Sequence, residues 1–213
     1  MPSVLQLGGF ASLLSAIFAI CAQASNTVTW SCYRNDGFTV LATDKPASVG
    51  SNFIVRKSTA SIGSDCAIET RATDRVLGID DALYYISLKN NFLILDEGTG
   101  PDRSTAIYEL GSGKLILSAP YSVSADQCTP SANSLPDDFR IDEPGVTFWR
   151  ATREKANAQN CPRLSKIDEP TIEEKTLFRF ATARLEGLKA KRCVSRQSAY
   201  NGHYILNGIT RDD

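Results

Sequence analysis

From residue 27 onward the apolar residues fall in short runs rich in β-branched and aromatic side chains, broken by Asn, Asp, Gly and Pro. That pattern predicts strands. The first runs are TVTWSCY, FTVLA, NFIVRK and CAIET, separated by Asn35-Asp36-Gly37, Lys45-Pro46 and Ile62-Gly63-Ser64-Asp65. Asp74 to Asp81 is polar and turn-prone, and Leu83 to Tyr121 then reads as four further strands joined by three turns. Asn90-Asn91 suits a tight hairpin, because Asn tolerates positive φ and bonds its own backbone. Phe92 to Leu95 is apolar without alternation, as in a strand buried on both faces. Ser104 to Leu110 alternates, with Ala106, Tyr108 and Leu110 on one side and Thr105 and Glu109 on the other, which predicts a half-exposed strand. Gly111-Ser112-Gly113 reverses the chain into Lys114 to Leu117.

Ser122 to Gly145 is a polar excursion containing Cys128, after which Val146 to Arg150 resumes as a strand and Glu154 to Asn160 suits a helical turn. The segment 171–196 admits two readings. Thr171 with Glu174 forms a capping box, and Leu177, Ala181, Leu185 and Leu188 recur at helical spacing. Against that, IYELGSGKL at 107–115 aligns without a gap on LFRFATARL at 177–185, and a copy centred on Gly-Ser-Gly can hardly be helical. The hairpin is the favoured reading. The predicted fold is therefore mainly β, an antiparallel meander of hairpins with few or no long helices, arranged as a propeller-blade-like four-stranded unit or as an open barrel or sandwich.

Ahead of these runs, Phe10 to Ile20 is an apolar stretch too short to span a bilayer, followed by Ala22-Gln23-Ala24. We expect residues 1–24 to be a signal peptide and 25–213 one mostly-β domain, secreted or periplasmic, with no transmembrane span. Export makes disulfides the default for Cys32, Cys66, Cys128, Cys161 and Cys193, an odd number. Sequence leaves the pairing open. Sequential closure, Cys32 with Cys66 and Cys128 with Cys161, gives loops worth roughly 3 to 4 kcal/mol each and leaves Cys193 as the free thiol. The cations Lys189, Lys191 and Arg192 beside it would favour a thiolate. The rival outcome joins Cys193 to Cys161 or Cys128.

A net charge of −1 gives no bulk attraction for nucleic acid. His203 is the only histidine, which leaves nothing for a Ser-His-Asp or multi-histidine zinc mechanism; we expect it in a solvated tail, and expect no metal and no cofactor. Adjacent carboxylates at Asp80-Asp81, Asp96-Glu97, Asp137-Asp138, Asp142-Glu143 and Glu173-Glu174 read as polar turns unless two of them face across a cleft. The best binding candidate is the Gly-rich loop carrying Asp96, Glu97, Thr99, Asp102 and Arg103. A second is the run Arg184, Lys189, Lys191, Arg192 and Arg196, where as a strand Lys189, Lys191 and Cys193 share a face that an acidic partner could meet. The combination of strands, the loop Gly98-Thr99-Gly100-Pro101-Asp102 and the late Cys strand resembles uncharacterised bacterial exported proteins with a GTxPD-type loop, a resemblance that brings no activity with it. The expected function is an exported envelope protein that binds a protein or cell-envelope ligand. The alternatives are a carboxylate-dependent hydrolase of envelope polysaccharide and an inhibitor or immunity protein against such a hydrolase.

Overall fold

The computed structural model describes residues 29–79, 81–99, 103–121, 139–167, 169–195 and 203–212, with the side chains of His203 and Asp212 left out. Residues 1–24, expected as a signal peptide, the part of the excursion at 122–138 that carries Cys128, and Asp102 lie outside these residues. The chain forms three successive four-stranded antiparallel meanders. The first contains β1 (Trp30–Arg34), β2 (Phe38–Asp44), β3 (Ser51–Lys57) and β4 (Arg75–Leu77). The second contains β5 (Leu83–Lys89), β6 (Phe92–Glu97), β7 (Arg103–Glu109) and β8 (Lys114–Tyr121). The third contains β9 (Arg140–Ile141), β10 (Gly145–Ala151), β11 (Pro170–Arg179) and β12 (Arg184–Ser195). A final hairpin, β13 (His203–Leu206) and β14 (Ile209–Asp212), joins the second sheet through β8, with Leu206 opposite Leu117. The mainly-β meander read from the sequence is the fold, without barrel closure.

All three meanders close in the same way. In each, the N–H following the third strand donates to the carbonyl preceding the second: Ser58 to Gly37 at 3.1 Å, Leu110 to Asn91 at 2.8 Å, and Phe180 to Pro144 at 3.1 Å. The strand-turn-strand unit at 107–115 does recur at 177–185, so residues 171–195 are a hairpin and the helical spacing there is incidental. Its two turns match in detail. Gly113 (φ 73°) and Ala183 (φ 48°) occupy the same left-handed position, which accounts for the glycine in one copy and implies a strained alanine in the other. Asn90 also takes positive φ (53°), as a hairpin of two Asn requires.

The middle sheet is buried on both faces. Leu93, Leu95, Ala106 and Leu110 pack against Val40, Phe53 and Val55 of the first sheet. Ile94, Ile107, Leu117 and Ala119 pack against Val146, Phe148 and Phe178 of the third. β7 is therefore not half-exposed: Thr105, expected toward solvent, is fully buried because the third sheet covers that face. The C-terminal residues, expected as a solvated tail, form the β13–β14 hairpin, whose Tyr204 and Leu206 pack on the same core.

One predicted strand is absent. Residues 66–70 are irregular, and β4 forms instead at Arg75–Leu77. The cause is Arg56, which with the exposed Lys57 ends the apolar run of β3. Its guanidinium is buried and uses all five N–H donors. Nε and Nη2 hold Asp74 at 3.1 and 2.7 Å, while the Nη groups also take the carbonyls of Asp65, Ala67 and Glu69 at 3.2, 2.8 and 3.1 Å. Three carbonyls converging on one guanidinium wrap the segment around the Arg56 side chain and away from an extended course beside β3. Segment 58–74, with the short helix α1 (Ile62–Asp65), is thereby folded onto β3 and stapled to β1 by the Cys32–Cys66 bond.

The second disulfide overturns the sequential pairing. Cys161 bonds Cys193, so Cys193 is not the free thiol and Cys161 is not the partner of Cys128. The hairpin at 170–195 explains why: β12 runs back beside β11 and brings Cys193 under the loop that carries Cys161, a proximity that sequence spacing does not contain.

Candidate functional site

The loop after β6 was the leading sequence candidate, and the structure commits much of it internally. Asp96 is buried, and its Oδ1 accepts from Tyr121 Oη and from Arg103 Nε, both at 2.9 Å, while Arg103 Nη2 pairs with Oδ2. The same guanidinium lies 5.8 Å from the Tyr84 ring. Asp96 and Arg103 thus lock β6 to β7 and β8 beneath the loop. Glu97 points to the opposite face, half-buried, and accepts from Ser118 Oγ at 3.2 Å. Burial raises its pKa, and the nearby Asp81 carboxylate adds to the effect. Thr99 is exposed, and Asp102 lies outside the described residues.

Among the described residues the other paired carboxylates stand apart, save that Asp81 lies near Glu97. Asp142 and Glu143 stand on the β9–β10 turn, bonded to Arg140 and Lys89. Glu173 is fully buried against Arg192 Nε at 2.7 Å, whereas its neighbour Glu174 lies on the other face of β11. Asp80, Asp137 and Asp138 lie outside the described residues. Two shallow depressions, of about 380 and 340 Å3, flank the β10–β11 connection; the first is lined by a single carboxylate, Glu154, and the second by none. Two carboxylates facing across a cleft, the arrangement a glycosidase uses, are therefore not found at either depression.

The second sequence candidate is where surface chemistry collects. β12 is the longest strand and an edge strand, with β11 as its only neighbour among the described residues. None of its twelve residues is buried. Four cations, Arg184, Lys189, Lys191 and Arg192, stand on it against one acid, Glu186. The imbalance extends around it, since residues 139–195 hold twelve Lys and Arg against eight Asp and Glu in a chain of net charge −1.

Local geometry divides the strand. A bulge opposite Glu174 to Thr176 spans Leu188 to Ala190, with Lys189 at φ 62°. The simple alternation that puts Lys189 on the face of Lys191 and Cys193 is lost there. A Cβ at Gly187, beside the bulge, would lie 2.5 Å from a Glu174 carboxylate oxygen, so a larger residue there would displace the end of that side chain. Beyond the bulge, Lys191 to Ser195 pairs regularly with Pro170 to Glu174. Lys191 Nζ is bonded to Glu154 Oε2, which raises the lysine pKa and lowers that of the glutamate. Arg192 lies over Trp149 at 4.4 Å. The depression of about 340 Å3 sits against this end of β12, lined by Arg163, Ile167, Lys191, Arg192 and the Cys161–Cys193 bond. Arg196 lies outside the described residues.

Sequence reasoning found the cations of β12 but missed the ionic pairs buried behind the sheets. Arg56 inside NFIVRK was the available signal, a cation where a buried strand should be apolar. Glu173 had none, because an acid in a polar alternation looks solvated. Among the described residues no group of three His, Cys, Asp or Glu is placed to hold a metal ion, and no helix is long and apolar enough to cross a membrane. Comparison with family models, with curated proteins and with solved structures returns no match, so the site must be read from its own chemistry.

Proposed function

We propose that this is an exported binding protein that engages an acidic protein or cell-envelope ligand through the third sheet, at the β12 edge and the adjoining depression. The observation that carries this reading is an exposed edge strand with four cations and one acid, two of the cations, Lys191 and Arg192, being paired with Glu154 and Glu173, beside a depression that Arg163 also lines and no carboxylate does. Positive charge gathered at one site on a chain of slightly negative net charge gives direction to encounter with an acidic partner. The hydrolase alternative has less support, since among the described residues the carboxylate with a burial-raised pKa, Glu97, lines neither depression.

Affinity capture from envelope extracts tests the proposal, comparing wild type with Arg163→Glu/Lys189→Glu, both exposed positions. Ligand retained by the wild type and lost by the variant supports the assignment. Ligand retained equally by both, and lost instead on Thr99→Ala, places binding at the loop after β6 and overturns it.

A further inference from the structure

Two tyrosines meet face to face between the first and second sheets. Tyr33 lies on β1 and Tyr85 on β5, both half-buried at the rim of the core that those sheets share. Their ring centroids are 3.5 Å apart and their planes 8° from parallel. Ring quadrupoles disfavour a sandwich of this kind, so ring attraction alone does not select it. The other ring contacts among the described residues have centroids 5.0 to 6.3 Å apart, and each includes at least one Phe.

The surrounding fold holds the pair in place. Asn35 Nδ2, just beyond Tyr33, donates to the Asn90 carbonyl at 2.7 Å, and Lys45 Nζ donates to the Asp81 carbonyl at 2.6 Å, so bonds between the two sheets stand on either side of the rings. A bulge between Tyr85 and Ser87 turns Ile86 into the core against the third sheet and leaves Tyr85 toward the first. Tyr84 faces the other way, toward Arg103. Burial, with the Tyr33 phenol adding to it, pushes the Tyr85 pKa up to about 12, so no phenolate charge arises on Tyr85 near neutral pH.

Superposed phenol rings have their ortho carbons, the Cε atoms, in or beside van der Waals contact, the approach from which two tyrosyl radicals couple. We infer that Tyr33 and Tyr85 form a site of oxidative modification, at which a one-electron oxidant of the peroxidase class joins them through a Cε–Cε bond into dityrosine. Each phenol gives up one electron and its hydroxyl proton. The two ortho-carbon radicals pair to form the bond, and each coupled carbon then yields its hydrogen to restore the phenol. Two electrons and two protons leave in all, and hydrogen peroxide takes them up as two molecules of water. The two disulfides suit the chain to the oxidising surroundings that this step needs. The new bond ties β1 to β5 and involves no residue of the third sheet, so it stands apart from the binding role proposed there.

The test treats the disulfide-bonded chain beginning at Ser25, with any free thiol first alkylated, with a haem peroxidase and hydrogen peroxide, and includes free tyrosine in a parallel sample. Coupling between rings already in contact predicts a monomer lighter by two hydrogens, with dityrosine fluorescence, formed at a rate independent of protein concentration, in which peptide mapping finds the Tyr33 and Tyr85 peptides joined. Tyr33→Phe and Tyr85→Phe each keep a ring in the stack and should lower the monomeric product about tenfold or more, because the remaining phenols must meet by collision. Tyr84→Phe should leave it unchanged. Joined peptides that carry other tyrosines, cross-links found only between chains, or an equal yield from Tyr33→Phe would overturn the site. So would a protein of unchanged mass under conditions where free tyrosine couples.

Discussion

Asp74→Ala isolates the device that turns a predicted strand into a cap on the first sheet. The pair it breaks is almost fully buried, with Arg56 Nη2 2.7 Å from Asp74 Oδ2. Removing one partner of a buried pair costs about 3–5 kcal/mol, because the remaining charge stays desolvated. Three carbonyl acceptors stay on the guanidinium, which puts the loss at the lower end of that range. Asp74 Oδ2 also accepts from Arg71 N at 2.9 Å, a further bond worth about 1 kcal/mol. The expected total is about 4 kcal/mol, or a drop in Tm of roughly 8–16 °C for a chain of this size. Urea unfolding of the oxidised protein at neutral pH measures it, and amide exchange locates it, with faster exchange in residues 58–74 and little change in β6 and β7. A loss under about 1 kcal/mol, with exchange in 58–74 unaltered, would mean that Arg56 is solvated and does not hold the segment.

The other predictions concern covalent, titrating and backbone features. Replacing either disulfide pair by serines removes a closure of 34 or 32 residues and should lower stability by just under about 4 kcal/mol on the chain-entropy model; peptide mapping of the unreduced protein should find Cys32 joined to Cys66 and Cys161 to Cys193. Glu97→Gln should be more stable than wild type at neutral pH: with the folded pKa raised, wild-type stability falls as pH rises from the ordinary glutamate range through the folded value, so the gain vanishes in acid. Asp65 has the opposite sign, its pKa lowered chiefly by the Thr59 backbone N–H, so Asp65→Asn loses stability at neutral pH and the difference closes as pH falls through the lowered value. Ala183→Gly should gain roughly 0.5 kcal/mol in thermal unfolding by relieving φ 48°, whereas Ala183→Pro, with φ fixed near −65°, should disrupt the turn.

The hairpins were legible because their signals are local: Asn90-Asn91 and Gly111-Ser112-Gly113 set the turns, and the match of 107–115 to 177–185 outweighed a helical periodicity carried by four residues. What was illegible depended on contacts distant in sequence. Thr105 is buried by a third sheet that begins more than thirty residues later. The strand expected at Cys66 to Thr70 lost its carbonyls to Arg56, and Cys193 found Cys161 through the fold of the β11–β12 hairpin. The loop at Asp96 to Arg103 was rightly marked as rich in polar groups, but Asp96 and Arg103 spend them on Tyr121 and on each other. The β12 cations were visible as a run; that they sit on an exposed edge, beside a depression and past a bulge, required the register.

The most direct test of the account is amide hydrogen exchange across the chain, with and without the envelope fraction that the wild-type protein retains. Binding at the third sheet predicts slowed exchange in Arg184–Ser195 and in residues 160–167, with residues 97–104 unchanged. Slowed exchange confined to 97–104 or to the first sheet, with β12 exchanging as in the free protein, would contradict it.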